Sequence, residues 1–271
     1  MDFNQIIGYL LALLAGLSIG MMGSGGSILT VPILVYIMHI EPILATAYSL
    51  FIVGTSAAAG SIRNIRKQQV NFKIVGSFGL ASILSVFCTR TYLLPLVPES
   101  IKLTNNSVIS KSNFIMILFA LVMLAAAAKM INPKKKELQS QDEIDINFVS
   151  LTIQGGLIGL IAGSVGAGGG FLIVPSLVFF AHLPIKKAIG TSITIVAIQS
   201  LIGFTGDLLV QDIQWNIVLI FSTVSIIGVF IGMRWANKVS DRLLKQIFGW
   251  FVLAMAIFIL LKEVNLNNLS V

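Results

Sequence analysis

Gly16-Leu17-Ser18-Ile19-Gly20-Met21-Met22-Gly23-Ser24-Gly25-Gly26-Ser27-Ile28-Leu29-Thr30-Val31-Pro32 returns 143 residues later as the stretch from Gly159 to Pro175, with nine of seventeen positions identical. Five of the nine are glycines: Gly16, Gly20, Gly23, Gly25 and Gly26 reappear as Gly159, Gly163, Gly166, Gly168 and Gly169. A run repeated at a fixed offset marks an internal duplication. The offset holds further on, aligning His39 with His182, Ala45 with Ala188, Ser49 with Ser192, Gly60 with Gly203 and Phe72 with Trp215. Later it falls to about 133, setting Lys129 against Lys262, because the first half carries some ten extra polar residues around Glu99 to Val108.

The chain is 56% hydrophobic and 11% charged, against about a quarter charged in soluble domains, which makes it an integral membrane protein. Long apolar runs without period-2 alternation predict helices rather than a membrane barrel. The single Cys88 forms no internal disulfide, and with only His39 and His182 beside it no metal or cofactor site is expected. The first apolar run follows Asp2, lacks a basic leader and a small-residue cleavage site, and is expected to be retained rather than removed as a signal peptide. The net charge of +7 reads as topological bias, not as a nucleic-acid footprint.

Most apolar runs are long enough to span a bilayer, but the arms that follow the glycine clusters, 14 residues from Ser27 and 13 from Phe171, fall short of the ~20 that a crossing requires. One continuous helix from Ile6 to Ile40 would be about 50 Å long against a ~30 Å hydrocarbon core. Two re-entrant hairpins resolve this, and the charges favour them. With hairpins, 14 of the 18 Lys and Arg residues fall on one side and only Arg90, Lys102, Lys111 and Lys262 on the other; eight simple crossings would divide them nine to nine. The positive-inside rule therefore predicts an all-α polytopic cell-membrane protein with both termini outside. It comprises two inverted-topology repeats, each a re-entrant helical hairpin plus three transmembrane helices. The first repeat spans 1–131, a cytoplasmic linker 132–147 and the second repeat 148–271.

The tips Gly23-Ser24-Gly25-Gly26-Ser27 and Gly166-Ala167-Gly168-Gly169-Gly170 are the candidate binding site. A helix that starts inside the membrane presents unpaired amides and the positive end of its dipole, which together suit an oxyanion. Gly16, Gly20, Gly159 and Gly163 have the four-residue spacing of close helix packing instead. Tyr48 and Ser49, with Thr191 and Ser192 at the matched positions, could complete the anion shell, and Gln199 lies deeper on the same helix as Thr191. His39 and His182 suit interfacial positions, with proton coupling as the alternative. Pro32 and Pro175 are expected to kink their arms. Asp207 and Asp212 are assigned to an outside loop, leaving no acidic residue deep in the bilayer; this argues against a carboxylate-based cation pump.

The pattern Gly-x3-Gly-x2-Gly-x-Gly-Gly with a proline six residues on, present in both halves, resembles the TauE/SafE family of sulfite exporter-like membrane proteins over nearly the whole chain. The resemblance implies a helical transporter of small sulfur-containing or organic anions such as sulfite or sulfonates, leaning towards export. It maps the functional glycine region onto Gly23 to Ser27 and Gly166 to Gly170. Ser27 stands where the second half has Gly170, and Asn64 where it has Asp207, so the halves are not symmetric. With no Gly-x4-Gly-Lys-Ser/Thr loop, energy must come from substrate or ion gradients, H+ or Na+ being candidate coupling ions, or from a partner. The rivals are a passive anion channel and an intramembrane serine hydrolase using Ser24 with a distant histidine, a reading weakened by Ala167 at the matched place.

Overall fold

The computed structural model describes residues 3–23, 28–98, 100–104, 107–131, 148–165, 170–179, 181, 183–208, 211–235 and 241–268. The first half forms α1 (Phe3–Met22), α2 (Thr30–Pro32, continued as a π-helical turn over Ile33–Ile37), α3 (Pro42–Arg66), α4 (Phe72–Leu96) and α5 (Lys111–Ile131). The second half repeats the order with α6 (Phe148–Val165), α7 (Gly170–Phe179), α8 (Ile185–Leu208), α9 (Trp215–Trp235) and α10 (Asp241–Asn268). The extra polar segment of the first half contributes a small antiparallel ribbon, β1 (Ser100–Thr104) and β2 (Ser107–Ser110). Six of these helices, α1, α3, α4, α6, α8 and α9, are long and apolar enough to cross a membrane. Leu10, Leu84, Leu157, Ile227 and Trp250 lie on their exposed faces and those of α10, as expected where the solvent is lipid.

Each local feature has a sequence cause. Pro42 occupies the first position of α3, where its missing N–H leaves no bond unmade. The same helix ends in a Schellman turn, Gln69 N–H donating to the Asn64 carbonyl and Gln68 N–H to that of Ile65, with Gln68 in the left-handed region at φ 55°. Asn71 then opens α4 by accepting from the N–H groups of Lys73 and Ile74. In α2 the expected disturbance at Pro32 takes the form of the π turn that follows it.

The chain reverses between α1 and α2. Met22 ends α1 and Gly23 leaves it at φ +77°, a conformation that glycine adopts without steric cost. Fifteen residues on, Met38 lies against Gly8, so α2 returns alongside α1 to the side from which α1 entered. The arm ends with Ile40 N–H donating to the Leu34 carbonyl, and the second half reproduces that bond 143 residues later between Leu183 and Leu177. His39 sits at this end of the arm, exposed and at φ 54°.

The two halves are interlocked. α1 packs on α9 of the other half and α6 packs on α4, so each half's opening helix is held by its partner. At both contacts the spacing permits no side chain: a Cβ on Gly16 would meet the Ser225 carbonyl oxygen, on Gly20 that of Val229, on Gly228 that of Leu13 and on Gly232 that of Leu17. Gly155 and Gly159 meet the Phe78 and Ser82 carbonyl oxygens in the same way, and Gly163 meets the Thr89 side chain. Rising numbers meet rising numbers, so α1 runs parallel to α9 and α6 parallel to α4. α3 and α8 run antiparallel at the centre, Gly54 against Leu201 and Ser61 against Thr194. α4 follows α8, with Gly79 at Ile195 and Gly203 at Val86, while α3 follows α9. α1 and α6, α3 and α8, and α4 and α9 therefore point in opposite directions within each pair.

The close contacts are testable against open glycines in the same molecule. Gly16→Ala and Gly20→Ala are expected to destabilise the detergent-purified protein by about 1–3 kcal/mol each. Gly156→Ala, where nothing lies within 4 Å of the added carbon, is expected to be neutral or stabilising by up to about 1 kcal/mol in the same thermal denaturation series.

Candidate functional site

The antiparallel pair α3 and α8 crosses near Ser56 and Gln199, positions matched by the 143-residue offset, and a buried polar spine is built there. Ser56 Oγ donates to Ser225 Oγ at 3.0 Å, and Ser82 Oγ donates to Gln199 Oε1. Ser82 and Ser225 are themselves matched, so the two bonds are one interaction made twice. All four side chains are buried. Of the four, only Gln199 is a candidate from the sequence; the identity of Ser82 and Ser225 at the repeat offset is the signal that could have found the others.

Towards one end of the pair, Ser61 and Thr194 hydroxyls lie 2.8 Å apart. The matched positions at the other end are Phe204 and Phe51, whose rings lie tilted against each other at 5.1 Å and are joined by Trp215 at 5.6 Å from Phe51. One end of the central pair is thus sealed by aromatic rings where its counterpart has hydroxyls.

The remaining candidates divide between these ends. Tyr48 Oη accepts the Gln214 backbone N–H at 2.8 Å, and Thr191 Oγ1 accepts that of Asn71 at 3.0 Å. These bonds are again repeat-matched, each fastening the loop that starts α9 or α4. Ser192 donates to the Ile189 carbonyl, and its hydroxyl faces Gly23, 3.4 Å from where a Cβ on that glycine would stand. Ser49 Oγ, wholly buried, has no hydrogen-bond partner among the described residues. On the antiparallel ruler Tyr48 is level with Asp207 and Thr191 with Asn64, sixteen residues of α3 apart, or about 24 Å along its axis. The structure brings Gly23 and Ser192 together and holds Tyr48 and Ser49 at the opposite end, with Gln199 between. Gly170 starts α7 and is buried. Ser24, Gly25, Gly26, Ser27, Gly166, Ala167, Gly168 and Gly169 lie outside the described residues, as does His182.

One element corrects the sequence reading. Asp207 is not in a loop: it belongs to the last turn of α8, is 5% exposed, and pairs with Arg90 of α4, whose Nη1 lies 3.3 Å from its Oδ1. The same Nη1 donates to Thr46 Oγ1 at 3.1 Å. Arg90 is 2% exposed. Burying either charge alone would leave it desolvated without a counter-charge, so the two are held as a pair. The partners are 117 residues apart and the offset matches them to Met233 and Asn64, so the duplication conceals them.

At the other end of the molecule, Arg63, Arg66 and Arg234 line a groove of about 500 Å³ with Ala59, Ile62 and Phe230. Ile62 and Phe230 are exposed on the outer surface, so this groove faces away from the central pair. Among the described residues no cluster of three or more His, Cys, Asp or Glu could hold a metal ion.

A family model described as Sulfite exporter TauE/SafE matches residues 8–259. The chain is 29% identical over 250 residues to a probable membrane transporter protein of Xylella fastidiosa, covering 91% of each. It is 28% identical over 272 residues to a probable membrane transporter protein of Haemophilus influenzae, covering 93% of this chain and 97% of the other. A probable membrane transporter protein of Bacillus subtilis, YunE, is 25% identical over 239 residues, 78% of this chain and 80% of that one. No solved structure matches significantly.

The loop-fastening bonds separate a structural duty from any ligand contact. Tyr48→Phe and Thr191→Val are each expected to lower stability by about 1 kcal/mol in the absence of any substrate, measured as a fall in the unfolding midpoint.

Proposed function

From the chain's membership of the TauE/SafE family of membrane transporters, we propose that this protein is a secondary carrier of small sulfur-containing or organic anions, such as sulfite or sulfonates, working as an exporter. The supporting observation is the interlocked inverted pair of halves. Two copies of one structure in opposite orientations give two arrangements of similar energy, one open to each side, which is what alternating access requires. The buried spine of Ser56, Ser225, Ser82 and Gln199 marks the level at which the path is closed to both sides, while Phe51, Phe204 and Trp215 against Ser61 and Thr194 make the two closures unequal.

In this reading the glycine runs, Gly23 to Ser27 and Gly166 to Gly170, offer main-chain N–H groups to the anion at opposite ends of its path, Ser192 adding a hydroxyl beside Gly23 and Ser49 one at the other end. Backbone donors suit the task because they carry partial positive charge without a side chain that would have to be desolvated at each cycle. The linker 132–147 joins two repeats, 1–131 and 148–271, and H+ or Na+ would supply the driving gradient.

Proteoliposomes containing the purified protein should take up radiolabelled sulfite in exchange for internal sulfite, with a rate that saturates. Failure of a panel of small anions, sulfite, taurine and acetate among them, to show counterflow would refute the carrier reading, and single-channel currents would replace it with a pore. Gly23→Val, which places a branched side chain at φ +77° against Ile189 and Ser192, is expected to lower exchange by ~10-fold or more if the turn tolerates ~1–3 kcal/mol of strain only by distorting the site.

A further inference from the structure

Arg90 is held in an unusual way for a buried guanidinium. Its Nη1 is committed to Asp207 Oδ1 and Thr46 Oγ1, while Nε and Nη2, the two atoms that form the parallel donor edge of the group, are buried and have no hydrogen-bond partner among the described residues. Thr91 Oγ1 and Asp207 Oδ2 beside it are in the same condition. Ser49, one helical turn beyond Thr46 on α3, presents a further buried hydroxyl without a partner among the described residues. Half of the buried side-chain polar atoms that lack partners among the described residues belong to these four residues.

A purely structural ion pair does not explain this. The interlocked halves provide an internal control, because the position matched to Arg90 is Met233 and that matched to Asp207 is Asn64. The same helix packing is therefore built at the other end of the molecule with no charge at the two matched positions. Gly163, half a turn before the end of α6, packs against Thr89, so α6 ends beside the turn that carries Arg90.

We propose that the Nε and Nη2 edge of Arg90 binds one small oxyanion through two parallel hydrogen bonds, with Asp207 fixing the guanidinium through Nη1 and Ser49 adding a hydroxyl. The ligand has at least two acceptor oxygens on one atom, as in a carboxylate, sulfonate or sulfite; the fork geometry of arginine matches that pair and a halide does not. The assignment rests on the anion-carrier reading and supplies its fixed charge. It also places the charged contact at one end of the central pair only, next to the aromatic closure, so the two access states are not equivalent for the anion. Asp207 gives the site a counter-charge when no anion is bound, which lets the arginine remain buried throughout the cycle.

The test uses the full chain in nanodiscs of zwitterionic lipid, with thermal unfolding followed as methanesulfonate, sulfite or chloride is added, and counterflow measured in parallel. Wild-type protein is expected to be protected by methanesulfonate and sulfite but not by chloride. R90K keeps the charge and loses the fork, and its half-saturating concentration should rise by ~10-fold or more. R90M/D207N copies the arrangement of the other half, so it should fold with an unfolding midpoint near that of wild type and show no protection. D207N removes the competing carboxylate and should saturate at lower anion concentration than wild type. Unchanged half-saturation in R90K and R90M/D207N would overturn the assignment while leaving the carrier reading intact. Loss of protection in D207N would reduce the pair to a structural role. A wild-type protein that no anion protects or exchanges would remove the carrier reading and this site with it.

Discussion

Everything in this molecule hangs on two places where helices touch backbone to backbone. Lipid tails are as apolar as leucine, so helices gain little by hiding hydrophobic side chains from the bilayer, and close approach must supply the attraction instead. At Gly16, Gly20, Gly228 and Gly232 the α1 and α9 backbones come together with nothing between them, and Gly155 and Gly159 do the same for α6 against α4. Because each contact joins one half to the other, neither half buries its own opening helix. Helix direction, the course of the hairpins and the antiparallel crossing of α3 and α8 follow from that exchange.

Polar groups are distributed around this frame in matched pairs. Ser56 with Ser225 repeats Ser82 with Gln199, and Tyr48 with Gln214 repeats Thr191 with Asn71. Such bonds contribute little individually in membrane proteins, roughly 0.6 kcal/mol on average. Their use is positional: they set the register of the crossing helices and tie down loops at both ends. Where the pairs fail to match, the molecule distinguishes its two faces. Aromatic rings at Phe51 and Phe204 answer hydroxyls at Thr194 and Ser61, and the Arg90 and Asp207 pair answers Met233 and Asn64.

The sequence carried the frame more fully than the site. Glycine spacing is legible because only one residue type permits the contact, and the short arms after Gly26 and Gly169 are legible because bilayer thickness is fixed. Loop charges then supply orientation. Tyr48 and Thr191 were visible as hydroxyls, but their partners are backbone N–H groups of loops that no side-chain pattern reveals. Arg90 and Asp207 escaped for a different reason: alignment of the halves directs attention to what is repeated, and this pair is not. Asp207 also lies close to the helix end, where composition alone places the boundary only within a few residues.

The glycine contacts have a mechanical consequence. Side chains that interdigitate can exchange rotamers and so let helices slide by small steps, but a contact made of backbone alone has no such freedom. α1 and α9 therefore behave as one strut, and α4 and α6 as another, each assembled from both halves of the chain. Boundaries between rigid bodies therefore run across the duplication rather than along it, each body carrying helices from both repeats.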